Sequence, residues 1–239
     1  MTRPAILVAH GQPSAPEPQQ AAIAALAQDV ARLSGRQVLG ATLAQPGALD
    51  QAVAAAPGAM IYPMFMAAGW FTGTELPRRL VAAGADGADI LPPFGLDPTL
   101  AELCTTKIRQ QADAEGWDPQ QVTLLLIAHG SQRARGSAKG AEAMAELLRM
   151  RVARVVTGFI EEAPFLADAA RDLGPQAIAL PFFATQAEHV TDDIPAGLAQ
   201  AGFAGPCLPP IGLAAEVPSL IAAALDRGEA AIASRRAEA

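Results

Sequence analysis

Two cysteines, Cys104 and Cys207, are all that the 239 residues contain. They stand far apart and form no metal-type spacing. They exclude a disulfide scaffold, and a reducing cytoplasm suits them. Lysine is almost missing: of 17 cationic residues only Lys107 and Lys139 are lysines, which we read as genomic GC bias. Aromatics make up 5 % and charged residues 17 %, against 51 % hydrophobic residues. That balance excludes a disordered chain and leaves ample material for a core, with dense Ala, Gly and Pro favouring closely packed helices on a sheet. The net charge of −7 argues against general nucleic-acid binding, while leaving room for a local basic pocket. No stretch reaches the ~18 uninterrupted apolar residues of a membrane span. The opening run AILVA (5–9) is too short for a signal peptide and reads as a first buried strand. A soluble, cytoplasmic protein is expected. There is no G-x-G-x-x-G after a strand, no Walker loop and no G-x-S-x-G elbow. Ala9 and Ala128 precede two strand-end histidines where a histidine phosphatase would place arginine, which argues against phosphoryl transfer through them.

What is present is repetition. AILVAHGQ (5–12) returns as LLIAHGSQ (125–132), placing His10 and His129 at matching positions. VLGATLAQPGALDQAV (38–53) parallels VVTGFIEEAPFLADAA (155–170), with Gly40 matching Gly158 and Pro46 matching Pro164. IYPMFMAAGWFTGTELP (61–77) parallels ALPFFATQAEHVTDDIP (179–195), and LPPFGL (91–96) returns as LPPIGL (208–213). Four segments in order, at offsets of 117–119, mean two copies of a domain and not a solenoid of short units. Strands are expected near 4–9, 37–43, 59–64 and 87–91, then near 122–128, 153–160, 176–183 and 204–208. Amphipathic helices fall between them, with a break near 114–121 at Gly116 and Pro119. Strand–helix alternation with continuous apolar strands predicts an α/β fold. It would comprise two tandem duplicated domains, 1–116 and 117–239, each a doubly wound, mainly parallel, four-stranded sheet, with a cleft between them. The tail 228–239 reads as a fraying helix end.

In open parallel sheets ligands bind at the carboxyl ends of the strands. All three histidines, His10, His129 and His189, fall there. The copies differ in a directed way. The second carries His129, Glu161, Glu162, His189, Asp192 and Asp193. The first has Leu43 and Ala44 for the glutamates, Phe71 for His189, and Thr74 and Glu75 for the aspartates. Two imidazoles and a carboxylate suit a borderline divalent ion, and equally suit proton removal near neutral pH. Asp193 reads as a first-turn helix acid complementing the dipole, whereas Asp192 fits that role or the site. Ser131, Arg133, Arg135 and Lys139 follow His129 at the start of a helix. There, free amides and cations attract carboxylates or phosphates; the alternative is a solvated basic turn. The first copy has no cation in the corresponding segment.

The run AHGSQRARG (128–136), the FIEEAP turn (159–164) and PFFATQAEHVTDDIP (181–195) resemble the sirohydrochlorin chelatases of cobalamin and sirohaem biosynthesis, the class II chelatases. The resemblance covers both halves of the chain and matches the long type of this family. It implies a chelatase-like fold and a lyase that inserts Co²⁺ or Fe²⁺ into sirohydrochlorin without ATP. The metal is then a substrate, with no permanent cofactor. His129, His189 and Glu161 would be the metal-handling and catalytic residues, with His10, Glu162 and Asp192 as accessories. Ser131, Arg133, Arg135 and Lys139 would form a cationic rim for a substrate that carries eight carboxylates. The alternative is a non-catalytic tetrapyrrole- or metal-binding protein on the same fold. A monomer with internal pseudo-twofold symmetry is expected, with no nucleic-acid or membrane partner.

Overall fold

The computed structural model describes residues 2–131, 136–186 and 189–238. In chain order the regular elements are β1 (Ala5–Ala9), α1 (Pro16–Ser34), β2 (Val38–Thr42), α2 (Ala48–Ala55), β3 (Met60–Pro63) and α3 (Leu76–Ala82), followed by α4 (Leu100–Glu115). Then come β4 (Thr123–Ala128), α5 (Gly136–Arg149), β5 (Arg154–Phe159), α6 (Leu166–Ala169), β6 (Ala177–Pro181), α7 (Ile194–Ala201) and α8 (Val217–Glu238). No helix among the described residues is long and apolar enough to cross a membrane.

The chain forms two compact units, Met1–Asp97 with Ala215–Ala239, and Pro98–Ala214. Each contains a three-stranded parallel sheet, in the orders β2-β1-β3 and β5-β4-β6. The central strands explain the choice of a parallel sheet. Leu124, Leu125, Leu126 and Ile127 are fully buried, as a strand covered by helices on both faces requires.

Three expectations are corrected. Among the described residues each sheet has three strands, not four. The segments expected as fourth strands make only single bridges, Ile61 with Ile90 and Ala179 with Cys207, because prolines 92–93 and 209–210 follow at once and cannot extend a ladder. The compact units do not divide at 116/117. Helix α4 packs on α5 and β6 of the second unit, and α8 packs on α1 and β3 of the first. The tail is not a frayed end, because α8 continues to Glu238. Ile232 is buried, Glu229 pairs with the buried Arg36 at 2.6 Å, and Arg236 pairs with Asp89 at 2.9 Å.

The match of Gly40 with Gly158 is also one step out of register. Ala9 pairs with Thr42, and Ala128 with Phe159, so Gly40 corresponds to Thr157. One step turns a strand residue to the other face of its sheet. A Cβ on Gly40 would meet the Ile23 backbone of α1, whereas one on Gly158 would meet Ala169 of α6. The loop from β5 to Pro164 is therefore one residue longer than its counterpart between β2 and Pro46.

The recurring LPPxGL turns have a packing cause. A Cβ on Gly95 would lie 2.0 Å from the carbonyl oxygen of Met66, and one on Gly212 would lie 2.1 Å from that of Ala184. Their amides donate to the carbonyls of Phe65 and Phe183, both at 2.9 Å. Each turn thus presses, backbone against backbone, on the loop that leaves the third strand of its unit.

Candidate metal centre

His129 is the residue after β4, the central strand, and its backbone turns sharply because Gly130 follows with φ +75°. A side chain at 130 would also strike Glu162 Cγ at 2.8 Å and Phe159 Cβ at 3.0 Å. The glycine of each H-G pair is needed both for its positive φ and for that close approach. Glu161 is two residues past β5, and its amide donates to the His129 carbonyl at 2.9 Å, which ties the two loops together. His189 opens a π-helical turn, His189–Asp193, that runs directly into α7. Such wide turns recur at functional sites.

These elements bring His129, Glu161 and His189 together. One ligand atom from each lies within 4.8 Å of the others, and all three residues are half-buried. The two imidazoles meet edge to face, with centroids 4.4 Å apart and planes at 89°. His129 Nδ1 lies 3.0 Å from the Gly130 carbonyl oxygen and 3.7 Å from Glu161 Oε2. The first contact is a hydrogen bond and the second is too long to be one. With Nδ1–H donated to Gly130, Nε2 of the neutral ring keeps its lone pair. His189 Nδ1 donates to Asp193 Oδ2 at 2.6 Å. Two imidazole nitrogens and a carboxylate suit a borderline divalent ion. Donors around a tetrahedral ion with bonds near 2.1 Å stand about 3.4 Å apart, so the group fits with a modest inward movement.

Other residues named from sequence fall elsewhere. Glu162 accepts from the Ser131 amide at 2.8 Å and so fastens the loop beyond His129, outside the three-residue group. Asp192 is exposed on the π turn and also stands outside the group. Lys139 is exposed on the first turn of α5. Arg133 and Arg135 lie outside the described residues. His10 repeats the backbone arrangement of His129, its Nδ1 lying 2.8 Å from the Gly11 carbonyl oxygen, but its neighbour is Phe71 at 4.5 Å and 82°. Ala44 donates to the His10 carbonyl as Glu161 does to that of His129, so alanine stands where the site carboxylate would be. Leu43 corresponds to Ile160. The sequence reading missed Asp193 as a partner of His189, and the available signal was its spacing four residues along one helical turn.

A family model for CbiX matches residues 123–227. A solved structure of CbiX, described as the terminal enzyme for biosynthesis of siroheme in denitrifying bacteria, shares 56 % identity. It matches 94 % of this chain and 99 % of its own, with a TM-score of 0.88. This chain belongs to the CbiX family. DR2241 from Deinococcus radiodurans is a multi-domain protein described as similar to chelatases with two additional novel domains. It is 25 % identical to this chain, and the match takes in 94 % of this chain but 54 % of DR2241, with a TM-score of 0.68. SirB from Bacillus subtilis, solved with Fe³⁺, has 15 % identity and a TM-score of 0.72 over 95 % of this chain and 96 % of its own, and so shares the fold. Comparison with curated proteins gives no match.

Proposed function

We propose that this CbiX-family chain inserts a divalent metal ion, Co²⁺ or Fe²⁺, into sirohydrochlorin without ATP. The reading rests on one observation: two imidazoles and a carboxylate converge at the carboxyl ends of β4–β6, in a chain 56 % identical to a CbiX enzyme. Insertion exchanges two pyrrole N–H protons for one M²⁺, so the site must deliver an ion and take away two protons. His129 and His189 offer Nε2 lone pairs to the ion, and Glu161 supplies the negative charge that compensates it. As the ion leaves for the macrocycle, the same three basic groups become free to accept the displaced protons. The half-exposed, loosely spaced donors suit an ion that has to be handed on.

The polycarboxylate substrate needs cations near this acidic chain. Lys139, Arg133 and Arg135, with Ser131 at the loop start, are the residues we assign to that rim. We read the two units as copies of one domain, of which the second carries the activity. We further infer a cytoplasmic monomer, which sedimentation at about twice 24.5 kDa would overturn.

The test is the absorbance change of sirohydrochlorin with Co²⁺ or Fe²⁺, with and without protein. His129→Ala, His189→Ala and Glu161→Gln should each abolish the catalysed rate, and His10→Ala should reduce it less. A wild-type rate equal to the uncatalysed one, with the tetrapyrrole bound, would make the protein a carrier instead.

A further inference from the structure

We infer that Asp193 is a positioning residue for the metal centre: it fixes the tautomer and orientation of His189 so that Nε2, and not Nδ1, faces the ion. This rests on the reading of His189 as a metal-handling residue. A carboxylate can only accept, so the 2.6 Å contact places the hydrogen on His189 Nδ1 and leaves Nε2 with its lone pair. Carboxylates that hold a ligand imidazole in this way tune both its orientation and its basicity.

Among the described residues, His189 is the side-chain partner of Asp193. Asp193 stands at the N-cap of α7, yet its side chain makes no capping hydrogen bond. The first unit supplies an internal control. There the π turn Phe71–Glu75 places Phe71 where His189 stands and Glu75 where Asp193 stands. With no imidazole to hold, Glu75 turns instead to Arg78 and Arg79, which donate to it at 2.7–3.0 Å. The corresponding positions in the second unit are Ala196 and Gly197, which offer no cation. The acid at the end of the π turn is therefore used differently in each unit, according to the side chain four residues before it. Complementing the helix dipole, a task common to both units, does not account for that difference.

Asp193→Asn tests this directly. It keeps size and shape on a half-exposed side chain, so a merely structural role predicts little change. If the tautomer matters, replacing the acceptor-only carboxylate by an amide, whose NH₂ can donate to Nδ1, no longer holds the ring hydrogen on Nδ1 and shifts it to Nε2, the ligand atom. Titration with Co²⁺ alone, read by its visible absorption, should show affinity weakened about 10–100-fold in Asp193→Asn, with the melting temperature unchanged. Asp193→Glu, which can still accept from Nδ1, should recover part of it. Long-range ¹H–¹⁵N spectra of the neutral His189 ring in the metal-free protein should show Nδ1–H in wild type and Nε2–H in Asp193→Asn. Wild-type Co²⁺ affinity in Asp193→Asn, alongside loss in His189→Ala, would overturn the positioning role and leave the metal centre standing. Wild-type affinity in His189→Ala would overturn both. Because the probe is the ion alone, neither outcome depends on tetrapyrrole chemistry.

Discussion

Replacing Gly212 by alanine tests how the fold holds the metal centre. Gly212 lies on the 3₁₀ turn Ile211–Leu213, and an added Cβ would sit 2.1 Å from the Ala184 carbonyl oxygen and 2.4 Å from its carbon. That is more than an ångström short of van der Waals contact, and the obstacle is backbone, which cannot rotate aside. Overpacking of this kind costs about 1–3 kcal/mol. For a chain of this size each kcal/mol shifts the melting temperature by about 2–4 °C, so a fall of roughly 2–12 °C is expected. The strain falls on the Ala184 backbone, five residues before His189. If its relief displaces His189 by about 1 Å, the insertion rate should drop about 100-fold. Gly95→Ala is the paired control, since its Cβ would meet Met66 O at 2.0 Å in the first unit, which lacks the donor group. It should lower the melting temperature similarly while leaving Co²⁺ binding intact. Calorimetry and the sirohydrochlorin absorbance assay on both variants decide the matter. A Gly212→Ala protein with a lowered melting temperature and a wild-type insertion rate would refute the claim that packing of this turn on Ala184 helps to position His189.

Three further outcomes are expected. Burial pushes the Cys104 thiol up to about 12, and Cys207 is exposed with its thiol also raised by desolvation, so iodoacetamide near pH 8 should label Cys207 alone, and slowly, until the protein is unfolded; native labelling of Cys104 would contradict this. Hydrogen bonds from Arg78 and Arg79 hold the Glu75 carboxyl at about 2, against an ordinary value of 4.5. Between those pH values the unfolded chain binds a proton that the folded one does not, so this contribution to stability is present above pH 4.5 and is lost as pH falls towards 2. Urea unfolding across that window should show a shallower pH slope for Glu75→Gln than for wild type, and equal slopes would remove the argument. Lys139→Ala and Arg133→Ala should each raise KM for sirohydrochlorin more than they lower kcat, and the difference from wild type should shrink in 1 M salt, where the Debye length falls to about 3 Å; an unchanged KM at low salt would reduce these cations to a solvated turn.

The alternation of apolar runs with amphipathic stretches was enough to place all six strands within a residue or two, because a strand buried on both faces leaves a continuous apolar run such as LLLIA. What a linear reading could not supply was which helix covers which sheet. Helices α4 and α8 each follow a complete β-α-β-α-β-α series in sequence, and the repeat assigns them to it. Their packing is decided by contacts far along the chain, such as Arg36 with Asp226 and Glu229, and Gly228 against Leu91. The fourth strands failed for a local reason that was legible: a proline pair ends each ladder after a single bridge. The glycines themselves mislead about register: Gly40 and Gly158 are the same residue type but stand one step apart in the strand pairing, and a single step carries a residue to the opposite face of the sheet.

The candidate site was more legible than the packing around it, and the first unit shows why. His10 and Phe71 stand 4.5 Å apart at 82°, and His129 and His189 stand 4.4 Å apart at 89°. The scaffold sets a ring on the π turn against the strand-end imidazole whether that ring can ligate a metal or not. Chemistry at this position is therefore decided by side-chain identity, which is what a sequence records. The partner of that ring is a different matter. Asp193 and Glu75 occupy the same place, and each could be read as a dipole-complementing acid until the π turn and its neighbours are known. Only then do His189 four residues earlier, and Arg78 and Arg79 three and four residues later, appear as alternative claims on one carboxylate. Where the arginines are present the acid stabilises its own helix, and where they are replaced by Ala196 and Gly197 it is left to hold the imidazole.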